Sequence, residues 1–222
     1  NAIVTTNITG TMERVFFPVL ATIQEEPERL KTNFKKTVRT SFFVTFLSLA
    51  FLAAVAEPLV IILIGEKWTQ SIPYLQLLAV SSIFYPINSL NLNILKVKGR
   101  SDLILKLQVI KLLLLIPVLL SAILWGIMAM LIVSIITTIL ATCINSIYSG
   151  KLINYALIEQ LRDITPYFFS IGLIALIMFL ISFCPFSYFL MIGIQVCVGI
   201  GLVILIFEKK QFPEYLEIKE MV

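Results

Sequence analysis

The chain reads as an all-α, polytopic transmembrane helical bundle. Three observations predict it: the composition, the length of the apolar runs, and the placement of Lys and Arg between them. Apolar residues make up 59% of the 222, charged residues only 14%, and the mean hydropathy is +1.00. A soluble domain carries about 25% charged residues. A soluble fold of this size also has too little interior to hide so much aliphatic surface. Lipid is the solvent that accommodates the excess.

Crossing a bilayer takes about 20 predominantly apolar residues in a helix. Six runs qualify or nearly do: 41–64, 72–95, 103–125, 127–148, 167–183 and 188–207. Residues 1–24, rich in Thr and Asn, form a seventh and weaker span. The runs are solidly apolar rather than alternating, which favours helices over a membrane β-barrel. No repeat of solenoid length is present. The chain begins at Asn1 rather than Met and shows no signal peptide, and it is expected to be the latter part of a larger architecture.

Orientation follows from the basic residues. The loop expected over 25–40 holds Arg29, Lys31, Lys35, Lys36 and Arg39. Further groups are Lys96, Lys98 and Arg100, then Lys151 and Arg162, then Lys209, Lys210 and Lys219. If every run spans, thirteen of the 17 basic residues fall on one side, which is expected to be cytoplasmic together with the tail 208–222. Lys67 is alone on the other side, in "GEKWTQ" (65–70). There Gly65 ends a helix and Trp68 is placed at headgroup depth. Residues 151–165 are too polar and too short to span, and are expected to form a helix lying on the cytoplasmic surface, with Ile153, Leu157, Leu161 and Ile164 on one face. Pro166 is expected to start the next span.

Polar residues inside apolar runs are costly and face either a cavity or a partner helix. In "SIPYLQLLAVSSIFYPINSLNLNIL" (71–95), a 100° period places Tyr74, Ser81, Ser82, Tyr85, Asn88 and Ser89 on one face about 120° wide. Pro86 is expected to kink the helix. Such a face lines a wet path or hydrogen-bonds across a helix interface. Glu13 and Arg14 lie in the middle of the weak first span. Arg14 is a candidate anion contact, since a guanidinium suits phosphate geometry, unless that segment is interfacial and both residues are solvated. Lys111 lies about 13 Å into its run from Asp102, where it either snorkels or presents an ammonium to a cavity. Lys106, nearer the surface, reads as snorkelling. Glu57, ahead of Pro58, is a candidate for gating or ion coupling, or is simply solvated at a bent helix end.

Enzyme chemistry finds little support. There is no His, no paired Cys among Cys143, Cys184 and Cys197, and no phosphate-binding glycine loop. On those grounds no cofactor or metal is expected, and no nucleic acid is expected because the basic segments lie directly against spans.

Three segments in this order carry a resemblance: "RVFFPVLATIQEEPERLKTNFKKTVR" (14–39), "EPLVIILIGEKW" (57–68) and "KGRSD" (98–102). Together they resemble the C-terminal half of the bacterial O-antigen and lipopolysaccharide flippases, in the superfamily of multidrug, oligosaccharidyl-lipid and polysaccharide exporters. The resemblance covers residues 8–150 well and the last helix pair only in general pattern. It implies two six-helix lobes around a central cavity, with 1–150 as the helices of the second lobe and 167–207 as an additional pair. The substrate implied is an undecaprenyl-diphosphate-linked oligosaccharide, moved across the bacterial inner membrane by alternating access, with membrane lipid and other polysaccharide-assembly proteins as partners. Arg14 matches a basic position in the family's helix before F-P, which implies contact with the diphosphate. Lys111, Ser81, Tyr85 and Asn88 would line the path. Three rivals are a cation-coupled antiporter using Glu13 or Glu57, a membrane-embedded glycosyl or acyl transferase, and a non-transporting scaffold.

Overall fold

A computed structural model describes residues 17–210, with 212 and 215. Residues 17–22 are helical. Seven α-helices follow: α1 Pro27–Ala54, α2 Ala56–Ile64, α3 Ile72–Ser82, α4 Tyr85–Val97, α5 Ser101–Ile153, α6 Leu157–Ile181 and α7 Tyr188–Lys210. A 3-10 helix, Glu66–Ser71, joins α2 to α3. No strand occurs among the described residues. Among the described residues, five stretches are long and apolar enough to cross a membrane. One of them, α5, is 53 residues long and contains Gly126 at φ 84°, ψ −176°, a conformation favourable only for glycine. The chain reverses there into a helical hairpin, so α5 supplies two crossings, 101–125 and 127–153. Its apolar window is only 11% buried, and Ile123 and Trp125 beside the turn are 80% and 73% exposed. The protein is an all-α, multi-pass membrane protein.

Several boundaries differ from those the sequence predicts. The expected loop 25–40 is helical from Pro27 onward. Its apolar residues Leu30, Phe34, Val38 and Phe42 recur every four positions and are all fully buried, so packing of that face extends the helix well ahead of the apolar run. The run 41–64 is broken at Val55. Pro58 has no N–H to give the Ala54 carbonyl, and the Gln195 side chain donates to that oxygen instead (3.3 Å). Rather than a kinked single helix, 72–95 is two helices separated at Ile83–Phe84, with Pro86 in the first turn of α4, where its missing N–H is harmless.

Residues 151–165 do not form a helix of their own. α5 runs on to Ile153, Asn154 caps it in the left-handed conformation (φ 51°), and α6 continues unbroken through Pro166. Gly150 permits this turn, because a Cβ there would collide with the Tyr155 carbonyl.

The chain divides into two compact units, one of residues 1–45 and 81–164, the other of 46–80 and 165–222. The first is packed around Phe34, Phe42, Leu90, Ile94, Leu107 and Tyr155. In the second, Ile171, Ile174, Met178 and Phe207 are buried. Gln195 there also donates to the Met178 carbonyl (3.0 Å), left over because Ser182 N–H bonds Phe179 in a tighter final turn. Gly65 (φ 97°) closes α2, its N–H reaching the carbonyls of Val60 and Ile61, as expected for a helix terminator. Trp68, one turn on, is exposed.

Candidate functional site

The hairpin α5 determines where polar side chains can meet inside the first unit. Lys111 and Ala141 are each 15 residues from Gly126, and Val118 and Ser134 are each eight. The antiparallel arms therefore bring these levels opposite one another. Farther along, Lys106 Nζ lies 5.2 Å from the Tyr148 ring centroid, in cation–π contact. Between the arms and the start of α4 is a cleft of about 320 Å³, lined by Tyr85, Asn88, Lys111, Leu114, Leu115, Val118, Ser134, Thr137, Thr138 and Ala141. Three of the residues singled out from the sequence, Lys111, Tyr85 and Asn88, thus face one space. Lys111 is half-buried and has no acidic partner among the described residues.

Ser81 does not line this cleft. The break at Ile83–Phe84 separates it from Tyr85, so a projection carried at 100° per residue across 74–89 joins side chains that belong to two helices. Glu57 is half-buried in the first turn of α2, where a carboxylate is favoured by the helix dipole. Glu13 and Arg14 lie outside the described residues.

Asn88 shows both behaviours open to a polar residue in a span: it borders the cleft and also packs. Its amide donates to Thr142 Oγ1 (2.6 Å), and its carbonyl oxygen accepts from Asn145 (2.7 Å). One turn later Asn91 donates to Ser146 Oγ (3.0 Å) and Gln160 Oε1 (3.3 Å), and accepts from Ser149. Gln160 donates to the Tyr155 carbonyl (3.1 Å). This seam stitches α4 to the second arm of α5 and the start of α6, and buried amides satisfied this way specify one packing.

Beyond the seam is an ionic cluster. Lys31, Lys35 and Arg39 recur every four residues along α1, as do Glu159 and Asp163 along α6. Lys31 pairs with Glu159 (3.2 Å), and Lys35 with Asp163 (3.0 Å). Arg39 also pairs with Asp163. The Tyr155 hydroxyl donates to the same carboxylate (2.6 Å), and burial together with that neighbouring charge holds its phenol above the usual range. The basic segment that reads as a solvated loop is therefore largely engaged with a neighbouring helix. Lys98, in the "KGRSD" turn, donates to the Gln24 carbonyl (2.6 Å), while Arg100 and Asp102 form a two-bonded pair (2.8 and 2.9 Å).

Ser134, Thr137 and Thr138 escape a reading that concentrates on charge and proline. Their signal is nonetheless in the sequence: Ser134, Thr138, Thr142, Asn145 and Ser149 recur at spacings of three and four, one helical face. No metal-binding group of His, Cys, Asp and Glu occurs among the described residues.

Residues 1–73 match the family described as "Polysaccharide biosynthesis protein". Three curated relatives are similar. A protein of Klebsiella pneumoniae described as an uncharacterized membrane protein in the cps region is 33% identical over 123 residues, 54% of this chain and 24% of the relative. The lipopolysaccharide biosynthesis protein WzxC of Escherichia coli (strain K12) is 36% identical over 104 residues, 47% and 21% of the two chains. The teichuronic acid biosynthesis protein TuaB of Bacillus subtilis (strain 168) is 31% identical over 90 residues, 40% and 19%. The chain thus spans about a quarter or less of the length of the curated relatives it matches. No solved structure matches. The resemblance to the bacterial O-antigen and lipopolysaccharide flippase family read from the three motifs is supported, at the level of polysaccharide biosynthesis membrane proteins, by these similarities.

Proposed function

We propose that this chain is part of a flippase that moves an undecaprenyl-diphosphate-linked oligosaccharide across the bacterial inner membrane. A diphosphate bearing sugars cannot enter hydrocarbon unaided, since stripping water from its charges and hydroxyls is prohibitive. A transporter must replace that water with protein groups while leaving the prenyl chain in lipid. The observation that carries the reading is the cleft in the hairpin: Lys111, without an acidic partner among the described residues, faces it together with an amide and several hydroxyls. A cation alone in such a setting favours an anionic ligand, and hydroxyl and amide groups suit the sugars attached to it. The similarity to relatives named for lipopolysaccharide and teichuronic acid biosynthesis supports the same class of cargo. Access would alternate by rocking of helix bundles about the site, with the C-terminal tail in the cytoplasm.

The test is export of the surface glycan by the full-length protein at wild-type abundance. Lys111→Ala is expected to lower it by about ten-fold or more, the order of effect of a charge-assisted contact, while Lys111→Arg retains most of it. Arg14→Ala is expected to act in the same direction. Unaltered export in Lys111→Ala rejects the reading. Orientation has its own check. A cysteine replacing Lys67 should react with an impermeant maleimide in intact cells, and one replacing Lys36 only after permeabilisation.

A further inference from the structure

Lys111 and two of the hydroxyls that line the cleft, Ser134 and Thr137, lie at different levels along it. Lys111 and Ala141 mark one level, and Asn88 is held nearby through Thr142. Ser134 lies seven residues closer to Gly126, about 10 Å along the arm at 1.5 Å per residue, with Thr137 between. The two kinds of group differ in what they offer. Lys111 offers only donors. The Ser134 hydroxyl donates to the Leu131 carbonyl (2.7 Å) and the Thr137 hydroxyl to the Ser134 carbonyl (3.1 Å). A hydroxyl whose proton is turned back onto its own helix presents lone pairs to the space in front of it. That surface accepts hydrogen bonds from hydroxyl and amide N–H groups, and is unfavourable for phosphate oxygens, which also only accept.

We infer that the cleft divides its ligand: phosphate oxygens at Lys111, and the first sugar's hydroxyl or amide donors at Ser134 and Thr137, toward the Gly126 turn. Ser134 and Thr137 then set the preference for a glycosylated carrier over the bare one, without holding the carrier itself. This rests on the cleft being the headgroup site.

The full-length protein in lipid nanodiscs provides the test, with two probes: farnesyl diphosphate, and farnesyl diphosphate linked to one N-acetylglucosamine. The double variant Ser134→Ala, Thr137→Val is expected to bind the bare diphosphate within about two-fold of wild type and the glycosylated probe about five-fold or more weakly, the effect of two lost hydrogen bonds. Thr137→Ser, which keeps the acceptor oxygen, should restore most of the preference, as a merely structural role would not. Lys111→Ala should weaken both probes. Equal loss of both probes in the double variant, or loss of neither, overturns the division. If in either case Lys111→Ala still weakens both, the headgroup site survives. A selective loss of the sugar probe with no effect of Lys111→Ala keeps the sugar contacts and removes the phosphate end.

Discussion

Lys111 and Asp163 are both ionisable side chains drawn into the first unit, and their surroundings are opposite. Asp163 is almost fully buried and meets Lys35, Arg39 and the Tyr155 hydroxyl. Lys111 is half-buried, faces a cleft, and has no acidic partner among the described residues. A buried charge is tolerated when its partners are close and hydrogen-bonded. Asp163 fulfils that condition within the chain, and so holds α1 to α6. Lys111 leaves it to be fulfilled by something else. The comparison separates a charge satisfied by the fold from one that, on the proposed function, is satisfied by a ligand, and the two should respond differently to removal.

The largest stability effect is expected at the satisfied charge. Asp163→Ala leaves two cations without their shared carboxylate and the Tyr155 phenol without its acceptor. Because Lys35 and Arg39 are each about a third exposed, water recovers part of the loss, and about 2–3 kcal/mol is expected, read as a lowered midpoint of thermal unfolding in detergent. If the melt is unchanged, the cluster is ornamental and the contrast with Lys111 collapses. Glycan export should fall only as far as folded protein does.

A somewhat smaller loss is expected at Gly150. The turn at Asn154–Ala156 carries Tyr155 to Asp163 and to Gln160, and it passes so close to Gly150 that a methyl would meet the Tyr155 carbonyl. Gly150→Ala must displace backbone, not a flexible side-chain tip, and about 1–3 kcal/mol is expected. Tyr155→Phe, which deletes only the hydroxyl, should lose about 1 kcal/mol by the same melt. The order Gly150→Ala above Tyr155→Phe would show that the turn positions the cluster. The reverse order would show that the hydroxyl does most of the holding.

How much of this was legible beforehand depended on whether a feature is local. The apolar runs, the terminating role of Gly65 and the reversal at Gly126 are written in short stretches of sequence, and the helices follow them. The α1 extension was legible as well, since Leu30, Phe34 and Val38 keep a four-residue period through the basic segment, but a rule that assigns Lys-rich segments to loops hides it. What was not legible was the coupling between distant segments. Asn91 with Ser146, and Arg39 with Asp163, are joined by tertiary packing that no periodicity encodes. A single face carrying Tyr74, Ser81 and Asn88 is not defined by the sequence period, for a specific reason: the helix breaks three residues before Pro86, and a helical projection is valid only within one helix. Lys111 stands out alone as a cation inside an apolar run, and Tyr85 and Asn88 as polar residues within one span; all three line the cleft. Ser134 and Thr137 are inconspicuous in the sequence, because hydroxyls in membrane helices are common and bond to their own backbone.

The smallest effect has the most informative sign. Replacing Lys111 by Met keeps the aliphatic stem and removes the charge that the ligand-free cleft leaves incompletely solvated. A Lys at the centre of a membrane helix is unfavourable by about 2.5–3.5 kcal/mol, and half-burial leaves roughly 1 kcal/mol to be recovered. Ligand-free Lys111→Met is therefore expected to melt slightly higher than wild type, the opposite of Asp163→Ala. Adding farnesyl diphosphate should then raise the wild-type midpoint, because a ligand bound only by the folded state stabilises it, and should leave Lys111→Met where it was. A Met variant that melts lower in the absence of ligand would mean that Lys111 is held by the fold as Asp163 is, and the distinction between the two charges would be lost.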